Sequence, residues 1–235
     1  MKATFVRKQV ENQAKNIVTF WFEPEKPLNQ LAGQYLEMTL KHNSPDNRGE
    51  KRWFTLSNSP TEKPLISITT KFPEDKSSFK NALLIIKTGQ RVSISDPIGF
   101  FVLPKDINLP LVFIAGGIGI VPFRSINKYL QDTGQKRDIT LIYYVKNEQE
   151  LIFQDLFDTT IPNRVAIVNN PSKTWKGEMG RLNGQKVLDI ARPSFNALFY
   201  IAGSKPLVET LEKQLMQLGV DKSHLLIDYF PDIYE

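Results

Sequence analysis

After Pro110 the sequence alternates between strand-like and helix-like segments, and this alternation restricts the fold more than any other feature. Five strand-like runs, from LVFIAGG to LLIDYF, are mostly continuous in apolar character. Helical patterns such as VPFRSINKYLQDTG and KPLVETLEKQLMQLG separate them. Such alternation requires right-handed crossovers and gives a parallel sheet that is covered on both faces. We therefore predict an α/β domain with five parallel strands over residues 110–235.

The first hundred residues have a different pattern, in which short strand-like segments follow one another. Six such segments are rich in β-branched and aromatic residues and are bounded by Pro, Gly, Asn or Asp. One helical pattern, SSFKNALLIIKTG at 77–89, interrupts them, and we predict Gly89 as its C-cap residue. Six strands with one helix favour a small antiparallel barrel, which avoids open edges. We predict a barrel domain over residues 1–103.

Composition and charge exclude several classes of protein. The sequence has no cysteine and only two histidines, so we expect no disulfide, no metal site and no iron–sulfur cluster. Neither a leader-like apolar core nor a run of membrane-spanning length occurs, and we expect a cytoplasmic protein. The net charge of +5 suits an anionic cofactor or an acidic protein. Nucleic acid is disfavoured, because no basic run is interleaved with exposed aromatics.

The stretch VFIAGGIGIVPFRSI at 112–126 predicts a strand, a phosphate-binding turn and a helix. Gly116, Gly117 and Gly119 keep side chains away and allow positive φ, so a phosphate can approach the backbone. Pro122 suits the first helical turn, where its missing N–H would have no partner anyway. Because ligands of α/β sheets bind where a strand ends and a helix begins, we assign Gly117, Gly119 and Pro122 to a cofactor site.

Two segments of the predicted barrel contain residues that suit an anionic cofactor. In RWFT at 52–55, Arg52 can form a charge-assisted fork with a diphosphate. Strand alternation places Arg52 and Phe54 on one face and Trp53 and Thr55 on the other. Ser77 and Ser78 are good N-cap residues, and free amides at a helix start point at anions.

In combination these segments resemble the ferredoxin–NADP⁺ reductase superfamily, whose members pair a flavin barrel with a pyridine-nucleotide domain. GGIGIVP resembles its GGxGxxP turn, and RWFT resembles its Arg-x-Tyr/Phe-Ser/Thr flavin motif. WKGEMGR at 175–181 and FYIAGSKPLVETL at 199–211 are similar to later turns of the family, in the same order along the chain. The second of these departs from the family's Cys-Gly-Pro-Pro turn, since Ala202 and Ser204 replace the cysteine and the first proline.

The resemblance implies FAD and NAD(P)H as cofactors and gives roles to individual residues. It places Phe54 against the isoalloxazine and Thr55 near its reactive N5. Asp228 resembles the carboxylate that members bring near the nicotinamide–flavin junction, so Thr55 and Asp228 are the predicted catalytic residues. Lys146 stands where NADPH-using members often carry arginine. The other predicted cofactor-binding residues are Trp53, Thr69, Lys71, Ser77, Ser78, Phe79, Gly203 and Phe230.

The predicted function is that of an FAD-dependent NAD(P)H oxidoreductase that passes electrons to a separate acceptor. Ferredoxin, flavodoxin, an oxygenase component and a small molecule are the candidate acceptors. Two alternatives remain open. One is a flavin-binding electron-transfer subunit of a larger complex, which Ala202 and Ser204 make tenable. The other is a nucleotide-binding regulatory module without redox activity.

Overall fold

Two six-stranded sheets organise the computed structural model, which describes residues 1–11 and 15–230. The first sheet is antiparallel throughout and has the strand order β4-β3-β6-β1-β2-β5. Its elements are β1 (Lys2–Val10), β2 (Ile17–Pro24), β3 (Tyr35–Thr39), β4 (Lys51–Thr55), β5 (Ile66–Lys71), α1 (Ser78–Leu84) and β6 (Arg91–Ile94).

The two edge strands of this sheet meet, so the sheet closes into the predicted barrel. Leu56, just after β4, forms an antiparallel bridge with Ile68 on β5. The Ser57 N–H donates to the Ser67 carbonyl oxygen at 2.8 Å in the same region. Alternate side chains point inward to form an apolar core, and Phe79 and Leu83 of α1 complete it. Closure removes the unpaired edges that an open sheet would expose.

The helix predicted over residues 77–89 is shorter than expected, and the C-cap role of Gly89 is wrong. Helix α1 ends at Leu84, and Ile86 turns inward into the barrel core. Gly89 has a φ of +86°, and its N–H donates to the Phe5 carbonyl oxygen at 2.9 Å. Its positive φ therefore belongs to the turn that leads into β6. A glycine in such a turn and a glycine at a helix end look alike in the sequence.

The second half of the described chain forms the α/β unit. Short 3-10 turns follow β7, follow β8 and precede β12. The longer elements are β7 (Leu111–Gly116), α2 (Val121–Thr133), β8 (Ile139–Val145), α3 (Gln154–Thr160), β9 (Asn163–Val168), β10 (Glu178–Met179), α4 (Gly184–Ala191), β11 (Leu198–Ser204), α5 (Lys205–Gln217) and β12 (Leu225–Phe230).

This second sheet is parallel, as predicted, with the strand order β10-β9-β8-β7-β11-β12. It has six strands rather than five, because β10 pairs only two residues and is too short to leave a sequence pattern. The chain starts at the central β7, builds outward to β10 and then crosses to β11 and β12. The order therefore reverses between β7 and β11, and such a switch point opens a crevice at the carboxyl ends of the strands.

Helices cover both faces of the parallel sheet, and the barrel extends one of these layers. Phe123 of α2 and Phe157 of α3 belong to the core on the first face, and Val187 of α4 and Leu211 of α5 belong to that on the second. The first core also contains Ile17, Ala32 and Phe101 from the barrel half of the chain. This packing brings the barrel against the carboxyl edge of the parallel sheet.

Within residues 1–11 and 15–230, no helix combines the length and apolar character needed to cross a membrane. The same residues contain no group of three or more His, Asp or Glu side chains placed to hold a metal ion.

Candidate functional site

A cleft of about 620 Å³ runs between the barrel and the carboxyl edge of the parallel sheet. Strands β4 and β5 form one wall, and the ends of β7, β8 and β11 form the other. No acidic side chain of the described residues lines it. Its basic lining residues are Arg48, Lys51, Arg52, Lys71, Lys80 and Lys146. Lys51, Arg52 and Lys71 each have a carboxylate partner behind the wall. The lining cations still outnumber these carboxylates, so the cleft is positive and favours an anionic ligand.

Strand β4 presents its two faces as the sequence predicts. The Arg52 guanidinium lies 5.3 Å from the centre of the Phe79 ring, and the Phe54 ring lies 5.8 Å from the same ring. Trp53 points the other way, is 52% exposed and meets Tyr35 edge-on at 5.4 Å. Thr55 on this second face is buried.

The loop before β4 wraps around the Arg52 side chain, which is 11% exposed. Its Nη1 donates to the carbonyl oxygens of Arg48 at 2.8 Å, Gly49 at 3.0 Å and Lys51 at 2.7 Å. These bonds fix the guanidinium at the mouth of the cleft. They also leave fewer than its five N–H donors for a ligand.

The lowered pKa of Lys80 follows from its burial and from the excess positive charge in the cleft. Its Nζ donates to the Lys71 carbonyl oxygen at 2.6 Å on the floor of the cleft. Burial, together with repulsion from Arg48, Arg52 and Lys71, lowers the pKa of Lys80 to about 8. An anion that binds next to this lysine would stabilise its charged form. Groups with such shifted pKa values cluster at functional sites.

The glycine-rich turn after β7 contributes backbone to the opposite wall. Gly117 has a φ of +53°, and an added Cβ would meet nothing within 4 Å, so this position is open toward the cleft. Gly119 differs, because an added Cβ would lie 2.2 Å from the Ala202 carbonyl oxygen. Its missing side chain lets the turn pack on β11. Pro122 is buried in the first turn of α2, as its sequence position predicts.

Thr55 on β4 and Asp228 on β12 meet where the barrel touches the last parallel strand. Burial raises the pKa of Asp228 to about 6, although a hydrogen bond from the Thr55 side chain acts to lower it. Asp228 Oδ2 is buried without a hydrogen-bond partner. A carboxyl group with such a pKa exchanges a proton close to neutral pH.

Lys146 lines the wall of the cleft that the parallel sheet forms, as do Tyr144, Val145 and Asn169. The two acidic residues that follow it are engaged elsewhere. Glu148 Oε1 accepts the Ser172 N–H at 2.7 Å, and Glu150 Oε1 lies 2.8 Å from Lys71 Nζ. Lys146 is therefore the charged side chain that this strand end presents to the cleft.

Comparison with solved structures gives the fold a close counterpart. The flavohem-like FAD/NAD-binding domain of nitric oxide dioxygenase from Vibrio cholerae superposes with a TM-score of 0.82 at 21% identity, over 98% of each chain. Flavohemoprotein A of Dictyostelium discoideum is 26% identical over 239 residues, which cover 96% of this chain and 59% of that protein. Residues 113–213 match the family model of the oxidoreductase NAD-binding domain. By these comparisons the chain is similar to the ferredoxin–NADP⁺ reductase superfamily that its sequence resembles.

Another relative is the stachydrine N-demethylase reductase subunit Stc4 of Rhizobium meliloti. It is 25% identical over 221 residues, which cover 90% of this chain and 62% of that protein. The chain thus spans about three fifths of the length of these two curated relatives.

Most residues that the superfamily resemblance singled out come together in the cleft. Ten of the predicted cofactor residues line it: Arg52, Trp53, Phe54, Thr55, Thr69, Lys71, Ser77, Gly117, Lys146 and Phe230. Six predicted residues do not line it: Ser78, Phe79, Gly119, Pro122, Gly203 and Asp228.

Packing explains why several of the predicted residues lie beneath the surface of the cleft rather than in its lining. Phe79 is fully buried in the barrel core beneath Arg52 and Phe54. Gly203 allows close approach of backbone, since an added Cβ would lie 3.3 Å from Gly116. Asp228 touches the site through Thr55. These residues support the cleft surface from below.

Several lining residues were not among the predicted site residues. They are Arg48, Lys51, Thr70, Lys80, Gly116, Ile118, Tyr144, Val145, Asn169, Ser204 and Leu207. Tyr144 and Asn169 carried a usable signal, because each lies at or just beyond the carboxyl end of a parallel strand. Arg48 and Lys51 reach the cleft only because their loop folds around Arg52, which no local pattern indicates.

Proposed function

We propose that this chain is an FAD-dependent NAD(P)H oxidoreductase that passes electrons to a separate acceptor. The observation that carries the proposal is the basic cleft, whose walls come from both the barrel and the parallel sheet. A binding module for one nucleotide needs only one of these walls. A cleft shared by both walls supports the binding of two ligands next to each other, as a reaction between them requires.

The residues present fit the two cofactors. On the barrel side, Arg52 and Lys80 supply cationic donors for a flavin diphosphate, and the low pKa of Lys80 supports an anion there. Trp53, Phe54 and Thr69 supply the apolar and hydroxyl surface for its ring system. On the other side, the open backbone at Gly117 suits the nucleotide diphosphate, and Lys146 suits the adenosine end.

When bound, FAD takes up two electrons from reduced nicotinamide and releases them singly or as a pair. The chain's own side chains supply alignment and a proton. Thr55 lines the cleft, and its side chain hydrogen-bonds Asp228. With a pKa near 6, the Asp228 carboxyl group holds or releases a proton close to neutral pH, and Thr55 Oγ1 relays it to the cleft.

The acceptor belongs to the same proposal. One relative is named as the reductase subunit of an N-demethylase, and the match covers 62% of that protein's length. The sequence contains no cysteine that could hold an iron–sulfur cluster. We propose a protein or small molecule outside these residues as the electron acceptor, and we propose the cytoplasm as the compartment.

The full chain, purified and incubated with FAD, provides the test. We expect a flavin absorption band, release of FAD rather than FMN on heating, and bleaching of the band when NADPH or NADH is mixed in a stopped-flow instrument. A protein that stays colourless after reconstitution would support the regulatory module instead. A yellow protein that neither nucleotide reduces would support a flavin-binding subunit that lacks activity on its own.

A further inference from the structure

Asp46, in the loop between β3 and β4, contacts two groups that suit an anion, the Arg52 guanidinium and the Ser78 N–H at the start of α1. Its Oδ1 lies 3.1 Å from Arg52 Nη2, and its Oδ2 accepts the Ser78 N–H at 2.9 Å. The Asp46 N–H in turn donates to Ser78 Oγ at 2.9 Å, so the two residues are bonded reciprocally. One internal carboxylate therefore bridges the arginine of β4 and the start of α1.

The rest of the loop reinforces this arrangement. Asp46 Oδ1 also accepts the Arg48 N–H at 3.0 Å, and Arg52 Nη1 donates to three loop carbonyl oxygens. His42 Nε2 lies 3.0 Å from Ser78 Oγ, which ties the beginning of the loop to the same point. Acceptors of this loop thus engage both terminal nitrogens of the guanidinium.

Asp46 is a permanent anion under ordinary conditions. Burial acts to raise its pKa, but hydrogen bonds from Ser78 and the Arg48 N–H, together with the Arg52 charge, lower it to about 2. A carboxylate that accepts from an arginine and from a backbone amide makes the same contacts as a phosphate oxygen. A second anion at Arg52 must share the guanidinium with this carboxylate or displace it, and like charges at such distances repel.

We propose that Asp46 is a built-in competitor for the flavin phosphates and sets the affinity of the chain for its flavin. This inference rests on the proposed function, because it assigns the flavin diphosphate to the Arg52 side of the cleft. The carboxylate holds Arg52 in place when no phosphate contacts the guanidinium. A phosphate that binds Arg52 must displace this carboxylate, and the free-energy cost of the displacement weakens flavin binding. Asp46 is thereby a determinant of cofactor affinity that acts through Arg52.

Equilibrium flavin binding to the apoprotein of the full chain tests this competition. Asp46→Asn removes the charge at nearly constant size, and we expect it to tighten FAD binding by about tenfold or more. Riboflavin has no phosphate, so its affinity should stay within about twofold. Asp75→Asn is the matched control, since it removes an exposed carboxylate from the segment that leads into α1 without touching Arg52. Asp46→Ala repeats the test without an amide that can bond Ser78.

The outcomes separate this inference from the proposed function. Unchanged or weaker FAD binding by both Asp46 variants, with FAD still bound by the wild type, would overturn the competition and leave the oxidoreductase proposal intact. Equal tightening by Asp75→Asn would also overturn it, because the effect would then be one of net charge. If neither the wild type nor any variant binds FAD or riboflavin, the proposed function and this inference are both wrong.

Discussion

Lys71 on β5 and Glu150, in the 3-10 turn after β8, form an ion pair in which Nζ lies 2.8 Å from Oε1. The pair joins the barrel to the loop that carries Lys146. Glu150 is only 8% exposed, and its carbonyl oxygen also accepts the Tyr143 hydroxyl at 3.0 Å. This ion pair is therefore one of the contacts that hold the wall that suits the flavin against the wall that suits the adenosine.

We expect Lys71→Met to lower the free energy of unfolding by about 1–3 kcal/mol, because it leaves a buried carboxylate without its cation. Adding Glu150→Gln should recover part of that loss, since the remaining group is then neutral. Urea unfolding of the two single variants and the double variant measures the coupling. Lys128→Met serves as the control, because its partner Asp132 belongs to a more exposed helical pair, and it should cost no more than about 0.5 kcal/mol. Equal losses in both positions would contradict a special role for the Lys71 pair.

The roles of Arg52 and Thr55 on β4 can be separated by measurement. Arg52→Ala should weaken FAD binding by about ten- to a hundredfold, the equivalent of roughly 1.5–3 kcal/mol for a charge-assisted contact. Thr55→Val keeps the volume but removes the hydroxyl bonded to Asp228, so it should retain flavin and slow its reduction by NADPH. Flavin titration and stopped-flow reduction report the two effects. An empty site in Thr55→Val and a full one in Arg52→Ala would reverse the assignment.

Sequence periodicity was enough to predict the fold, because its main elements are long. The apolar runs of β7 and β11 and the capped pattern of α2 each leave a pattern that tertiary packing does not override. The two-residue β10 and the early end of α1 were not predicted, because each depends on pairing or burial with residues that are distant in sequence.

The site was partly predictable for the same reason. Gly117 and Lys146 follow strand ends, so topology alone brings them to the cleft. The ion pair between Asp46 and Arg52 was not predictable, because it depends on how an irregular loop folds back. The contact between Thr55 and Asp228 joins two sheets, and only the resemblance to known reductases suggested their proximity.

Stability should depend on pH through Asp228. Its pKa of about 6 in the folded chain exceeds the ordinary value of 3.8, so the folded state holds a proton that the unfolded state has lost between these values. Stability contributed by this group is therefore greatest below pH 4 and is lost as pH rises to about 6, by up to about 3 kcal/mol. Asp228→Asn should be more stable relative to wild type at pH 7 than at pH 4. Unfolding at a series of pH values measures this difference, and a constant difference across the range would contradict the shift.

Lys80 gives flavin binding a pH dependence of its own. Its pKa of about 8 in the free protein means that its charge is lost as pH rises through 8. A bound phosphate favours the charged form, so FAD affinity should fall between pH 8 and 10 as binding comes to require uptake of a proton. Lys80→Met should bind FAD less tightly and with a flatter profile over this range. Titration of FAD at each pH provides the measurement, and riboflavin provides a ligand without phosphate. An unchanged slope in the variant would assign the pH dependence to another group.

The choice between NADPH and NADH should depend on Lys146. Both nearby carboxylates have a contact elsewhere, Glu148 Oε1 with the Ser172 N–H and Glu150 Oε1 with Lys71, so a swing of either side chain toward the ribose hydroxyls of NADH would break that contact. Lysine is a flexible point charge and a poorer phosphate clamp than the fork of arginine. We therefore expect both nucleotides to react, with a preference for NADPH of no more than about 2 kcal/mol, some thirtyfold in kcat/KM.

Lys146→Ala should remove this preference by lowering kcat/KM for NADPH while leaving that for NADH unchanged, because only the 2′-phosphate needs the cation. Lys173→Ala is the matched control, since this exposed lysine of the following loop does not line the cleft. Steady-state rates with both nucleotides on the three proteins give the answer. If NADH is strongly preferred and Lys146→Ala changes nothing, Lys146 is a solvated lysine and the adenosine end is recognised by Tyr144 and Asn169, the neutral side chains at the ends of β8 and β9.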